Sequence, residues 1–168
     1  AVSGALLGGA DAGNYQLDGS VAASARILPL TVSPGIVAKD KVYDGTAEAQ
    51  FQGVITGVLA GDAVSLSADS SRFGSRHVQK DSSGQPVAQS VLATGLRLSG
   101  TDAGNYSLSS TSAAGSATIT PKLLQASAAV ADKMYDGTRV AALSGLGGAG
   151  IVAGDAAVVE AESATFAG

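Results

Sequence analysis

The residues able to do chemistry are few. Cysteine is absent, which removes disulfides, thiolate nucleophiles and cysteine-held zinc together. The single histidine, His77, lies in the polar stretch "SRHVQKDSSGQP", residues 75–86. A triad or a histidine-held metal would need partners recurring nearby, so His77 reads as a solvated loop residue. Serine is abundant, but no G-x-S-x-G elbow is present. Four aspartates stand in recurring settings, Asp44 and Asp136 in Y-D-G-T and Asp62 and Asp155 in A-G-D-A. Their oxygens could join the shell of about six to eight that calcium takes, yet nothing matches the D-x-D-x-D-G spacing of a dedicated loop. Capping of turns is the favoured reading. "SGLGGAG", residues 144–150, lacks the Lys-Ser/Thr ending of a phosphate loop and reads as a flexible hairpin. Arg72, Arg76, His77 and Lys80 make a small positive cluster that could meet an acidic glycan or an acidic neighbouring domain. Such a cluster is ordinarily a solvated rim. With no nucleophile–base pair and no paired carboxylates, the expectation is a non-enzyme without cofactor or metal.

Positioning even this sparse chemistry requires a core, and composition limits its material. Of 168 residues 45% are apolar, but only 4% are aromatic and 23 are glycine. The length allows one or two small domains, with thin cores of Val, Leu, Ile and Ala. Charged residues make up 14% and the net charge is −4. That balance leaves no electrostatic footprint for nucleic acid and no basic face for anionic lipid. The longest apolar stretch, residues 143–159, is broken by five glycines and Asp155. Neither a membrane-spanning helix nor a signal peptide is therefore expected. Freedom from cysteine suits a long secreted bacterial chain and equally a cytosolic one. An alanine start suits a processed or excised chain.

The chain repeats itself, and the repeat organises everything else. "DAGNYQL" at Asp11 returns as "DAGNYSL" at Asp102, a shift of 91. "SARILP" at Ser24 returns as "SATITP" at Ser116, and Y-D-G-T at Tyr43 returns at Tyr135, shifts of 92. "VLAGDAVSL" at Val58 returns as "IVAGDAAVV" at Ile151, a shift of 93. One-residue slips of this kind are expected in loops. Pro29 and Pro121 close the S-A-x-I-x-P segments, and proline lacks a ladder donor, so each marks a boundary. This frame makes residues 30–121 one complete unit. Residues 1–29 are then the closing part of a preceding unit, and residues 122–168 the opening part of a following one.

Alternation argues for strands. Val64, Leu66 and Ala68 share one face opposite Ser65, Ser67 and Asp69, and Ala157, Val159 and Ala161 are expected to repeat it. Leu96 and Leu98 flank Arg97, Tyr106 and Leu108 flank Ser107, and Ile119 lies between two threonines. Residues 122–133 could be helical by propensity, but their counterpart, residues 30–41, holds Pro34 and Gly35, so both are extended. The fold class is all-β. In the Y-D-G turns, Asp44 and Asp136 can accept a backbone N–H while Gly45 and Gly137 take positive φ. Tyr43 and Tyr135 are expected to lay rings over the core and hydrogen-bond through their hydroxyls. In A-G-N-Y, Gly13 and Gly104 turn the chain and Asn14 and Asn105 tolerate left-handed geometry. Tyr15 and Tyr106 then enter the next strand facing inward.

The order K-x-Y-D-G-T, A-G-D-x-V, a Phe-ended strand, D-A-G-N-Y and A-T-I-T-P resembles the YDG repeat domain of bacterial surface exoproteins. These include filamentous-haemagglutinin-like adhesins exported by a two-partner route. The likeness spans the whole chain as one full and two partial copies. It implies an elongated array of small antiparallel β domains, on or outside a bacterial cell, serving as a stalk or filament. A two-layer sandwich and a β-grasp-like sheet both fit it. It hands over no catalytic or ligand residues. The implied partners are neighbouring copies of the same repeat, in the same chain or head to tail in a fibre built by strand complementation. The alternative is a carbohydrate- or surface-binding module meeting a host or matrix glycan, which predicts exposed aromatics.

Overall fold

The computed structural model describes residues 5–18 and 24–167. The alternating segments are strands, joined by glycine-bearing turns. In chain order they are β1 (Leu30–Ala38), β2 (Lys41–Val42), β3 (Phe51–Thr56), β4 (Ser65–Ser67), β5 (Ser70–Phe73) and β6 (Ala88–Thr94). There follow β7 (Arg97–Ser99), β8 (Tyr106–Leu108), β9 (Ser112–Thr120), β10 (Gln125–Val130) and β11 (Leu143–Ala149). The only helical segments among the described residues are two 3₁₀ turns, Ala12–Asn14 and Ala103–Asn105. The protein is all-β, built of several small sheets.

Residues 30–120 build two facing sheets. One has the order β3-β1-β8 and the other β2-β9-β6-β5. The sheets come close where Gly115 of β9 meets Ile36 of β1; a Cβ on Gly115 would lie 3.2 Å from the Ile36 Cγ1 and carbonyl oxygen. Between the sheets sits the core expected of a chain poor in aromatics: Phe73, Val91, Ala117 and Ile119, flanked by Ile36, Ala38, Tyr43, Ala49 and Val78. The β4–β7 pair closes one side, with Leu66 lying over Gly53 so tightly that a Cβ there would be 2.7 Å from Leu66 Cβ. Such close approach needs glycine.

Residues 122–167 rebuild only the opening of this arrangement. The hairpin β10–β11 reproduces β1–β3: Ser33 pairs with Thr56 and Gln125 with Ala149, Ala38 with Phe51 and Val130 with Leu143. The repeat shift passes from 92 to 93 within β11. A β-bulge between Ala129 and Val130 leaves Ser144 as the extra residue. This slip was expected in a loop, but a bulge absorbs one residue inside a strand pair by local bending. The slip from 91 to 92 falls near residues 18–23, most of which lie outside the described residues. The expected inward face of Ala157, Val159 and Ala161 does not form. Ala157 and Ala161 are exposed, and no strand is present there. Its counterpart β4 is held by β7, whereas no strand lies beside residues 157–161 among the described residues.

Candidate functional site

The Y-D-G turn is locked by one carboxylate oxygen. Asp44 Oδ1 accepts from Lys41 Nζ at 2.8 Å, Thr46 N–H at 2.9 Å and the Thr46 hydroxyl at 2.9 Å. Lys41 Nζ also reaches the Thr46 carbonyl at 2.9 Å and lies 5.7 Å from the Phe73 ring centre. Gly45 takes φ +83° to close the turn, a region costly for residues with a Cβ. The Lys41 ammonium, then the Thr46 N–H, holds the Asp44 carboxyl down at about 2. The second turn is the same atom for atom. Asp136 Oδ1 accepts from Lys133 Nζ, Thr138 N–H and the Thr138 hydroxyl, and its pKa is lowered for the same reasons. Gly137 has φ +77° and Lys133 lies 5.8 Å from the Phe166 ring centre. The carboxylate and glycine roles were visible in the sequence. The lysine stands in K-x-Y-D-G-T in both copies, but its hold on the aspartate three residues later was not read from the sequence.

The A-G-D aspartates accept tyrosine hydroxyls. Within the complete unit Tyr106 donates to Asp62 Oδ2, and the Leu59 N–H donates to the Tyr106 oxygen at 3.1 Å. In the following copy Asp155 Oδ2 accepts from Tyr43 at 2.7 Å, a contact spanning 112 positions and joining the two repeats. Each hydrogen bond to a carboxylate favours the neutral phenol, so the pKa values of Tyr43 and Tyr106 are raised above 10.0. Around Tyr43 and Asp155 lies a cleft of about 330 Å³, bordered by His77 and Val78 on one side and Lys122, Leu124 and Val152 on the other. A Cβ on Gly45 would lie 2.7 Å from Val152 Cγ1, so the turn itself seats against the next copy.

The four tyrosines thus fall into two states. Tyr106 is buried and Tyr43 packs on the core, whereas Tyr15 is 71% and Tyr135 97% exposed. The expectation that Tyr15 faces inward and Tyr135 covers a core is corrected here. Tyr106 is seated by its own unit's A-G-D turn, through Asp62 and the Leu59 N–H, and no such contact reaches Tyr15 among the described residues. Tyr43 is seated by β9 and by the next copy's Asp155, and among the described residues neither kind of partner reaches Tyr135. The left-handed geometry that Asn14 and Asn105 could tolerate is not used. Among the described residues no non-glycine residue has positive φ, and Gly13 and Gly104 do not either. Both D-A-G-N segments wind as right-handed 3₁₀ turns, closed by Asn14 N–H to Asp11 O and Asn105 N–H to Asp102 O at 3.0 Å.

His77 is exposed on the rim of the cleft, its Nε2 3.4 Å from Arg76 Nε. Arg72 and Lys80 are exposed too. Residues 144–150 are largely the strand β11, paired along β10, rather than a free loop. Asp44, Asp62, Asp136 and Asp155 all have protein donors, those of Asp62 and Asp155 coming from tyrosines.

The geometry defines an all-β protein whose recurring motifs are turn locks and tyrosine–aspartate clasps. A match to the YDG domain family covers residues 24–113, more than half of the chain. The chain belongs to the YDG domain family. No curated protein and no solved structure matches it.

Proposed function

We propose that the chain is a non-enzymatic structural module of an extracellular bacterial adhesin or fibre, of the filamentous-haemagglutinin-like, two-partner-secreted kind. Its task is to hold successive YDG units in a fixed relation along a stalk. The observation that carries this reading is the Tyr43–Asp155 hydrogen bond, which fastens one copy to the next through a residue of the family's own signature. The signatures explain themselves as structure. Lysine, aspartate and threonine lock the turn, the turn presents the tyrosine, and the next copy's A-G-D turn receives it. In such an array stability is local, arising from each unit and its nearest-neighbour contact.

The exposed rings of Tyr15 and Tyr135 favour a second reading, a glycan-binding module. Against it, each has a repeat counterpart seated in protein, Tyr106 and Tyr43. Hydrogen exchange on the 168-residue chain with Tyr43→Phe tests the structural reading. Faster exchange at residues 150–155, with residues 88–94 unchanged, supports it. Unchanged exchange at both, together with glycan binding lost in Tyr135→Ala, counts against it.

A further inference from the structure

Resting on that structural reading, we infer that the complete unit is a tension clamp. A pull along the chain is carried by its first and last segments, residues 30–43 and 106–120, loaded in shear. Asp40 is the positioning residue that completes their grip.

The two segments run side by side in the same direction, from one end of the unit to the other. Leu30 lies opposite Tyr106 and Val32 opposite Leu108 in the parallel pair β1–β8. Midway, Ile36 of β1 meets Gly115 of β9 across the two sheets. At the far end Lys41 lies opposite Ile119 and Val42 opposite Thr120 in the parallel pair β2–β9. The chain therefore enters the unit where β1 begins and leaves it at the opposite end, where β9 finishes. β1 alone, nine residues long, spans about 30 Å at roughly 3.3 Å per residue.

This topology decides how a pull is shared. Tension on Pro29 draws the first segment backwards and tension on Lys122 draws the last one forwards, so the two must slide past each other. Sliding strains every bond between them at once, whereas lifting a strand from its end strains one pair at a time. The outer neighbours add to the resistance. β3 lies along β1 from Ser33 to Ala38, and β6 lies along β9 from Ser112 to Thr118. Those ladders also follow the line of the pull. Were the first and last segments antiparallel, entry and exit would share one end and the ladder would open pair by pair.

Both ends of the grip are reinforced. Near the entry the Thr31 and Ser107 hydroxyls lie 3.2 Å apart, and Ser109 N–H donates to the Val32 carbonyl at 2.9 Å. Near the exit β2 has only two residues, a short ladder for the strand that hands the chain on. Asp40 lengthens it. Its Oδ1 accepts from Thr118 N–H at 2.6 Å, standing in for a backbone carbonyl one step before Lys41. A hydrogen bond to a charged carboxylate is stronger than one between neutral groups. On the other side, Tyr43 N–H donates to the Thr120 carbonyl at 2.8 Å. Asp40 is exposed and lies outside the core cluster, so its removal loosens the grip without opening a cavity.

The clamp continues into the next copy. Tyr43 holds Thr120 by its backbone and Asp155 by its hydroxyl, on either side of Pro121. Tension reaching the exit is thus shared between the linker and the clasp.

Single-molecule pulling on the 168-residue chain tests this, and a sequence free of cysteine allows handles to be placed at chosen residues. One pair of handles, Pro29→Cys and Lys122→Cys, pulls the unit end to end. Another, Pro29→Cys and Ala60→Cys, pulls from the entry end only. Leu59 N–H bonds the Tyr106 hydroxyl, and Tyr106 lies opposite Leu30, so Ala60 belongs to that end. Pro29, Ala60 and Lys122 are all exposed. The expected result is a higher unfolding force end to end than from the entry end. Forced unfolding reports the unfolding rate, and Asp40→Ala should raise that rate under end-to-end load roughly five-fold, as for loss of one hydrogen bond. The entry-end pull should not change, because Asp40 sits where the ladder peels last. Equal forces in both directions overturn the inference, as does an Asp40→Ala effect that is absent or the same in both. The comparison of directions needs no change at Asp40, so it decides the matter even where that variant folds poorly. The structural reading is judged separately, by exchange at residues 150–155 in Tyr43→Phe. A response there with equal forces leaves that reading standing, and no response with equal forces removes both.

Discussion

The Tyr43 hydroxyl and the Asp155 carboxylate, 112 positions apart, meet at 2.7 Å. Tyr106 and Asp62 make the same chemical pair inside one unit. A single acceptor type, the aspartate of A-G-D, thus serves two tyrosine signatures, one within a repeat and one from the repeat before. Because the interrepeat pair is side chain to side chain, it can be cut without altering either turn.

Tyr43→Phe keeps the ring on the core and removes only the donor. Amides of residues 150–155 should exchange a few-fold faster, as expected for loss of one hydrogen bond. Asp155→Asn retains an oxygen acceptor and should perturb exchange less, while bringing the Tyr43 pKa back down toward 10.0. A double-mutant cycle on the two changes should be non-additive, since both remove the same contact.

Raising the pH should open the clasps selectively. The folded pKa values of Tyr43 and Tyr106 lie above 10.0 because their hydroxyls donate to Asp155 and Asp62. A raised folded value means a contribution fully present below the unfolded pKa and lost as pH rises through the folded one. Ultraviolet titration of tyrosinate should therefore show two phenols ionising late. The late component should halve in Tyr43→Phe and again in Tyr106→Phe, with faster exchange at residues 150–155 following the first.

How much of this was legible beforehand divides by range. Strands in the complete unit could be read from alternation, because Val64, Leu66 and Ala68 alternate with polar neighbours and the structure keeps them half-buried. The same alternation at Ala157 misled, since a pattern marks a face but a strand needs a neighbour, and none lies beside Ala157 among the described residues. The Asp-Gly steps gave the turns because Asx capping and positive φ are local. The aspartates of A-G-D looked like further caps. Their true partners are tyrosines 44 and 112 positions away, and no local spacing encodes such a pairing. Lys41 and Lys133 could have been found, since a cation three residues before a capping aspartate recurs in both copies.

Acid titration should separate the locked turns from ordinary carboxylates. Asp44 sits at about 2 against an ordinary 3.8, chiefly through Lys41. With the folded value lowered, the contribution is present above the unfolded pKa and disappears as pH falls through about 2. Lys41→Met should move the Asp44 carbon resonance titration up toward 3.8, and Lys133→Met should do the same for Asp136. The effect on stability should be slight and weaker in salt, because the Asp44 side chain is 53% exposed.

Gly53→Ala probes the seat of β4 on β3. A methyl group would lie 2.7 Å from Leu66 Cβ and 3.1 Å from the Leu66 carbonyl oxygen. The backbone of β4 must retreat, at a cost of about 1–3 kcal/mol. Thermal unfolding should register the loss, and exchange at residues 65–67 and 97–99 should quicken first.

Two isoleucines at one repeat position give the sharpest contrast. Ile119 is fully buried against Phe73, Val91 and Ala117, whereas its counterpart Ile27 is fully exposed. Ile119→Ala leaves a cavity between the sheets and should cost about 2–5 kcal/mol. Ile27→Ala should change stability by no more than about 0.5 kcal/mol. Denaturant unfolding of both variants decides it. Equal losses would mean that the exposed segment packs against a core after all, and the contrast between the two repeat positions would collapse.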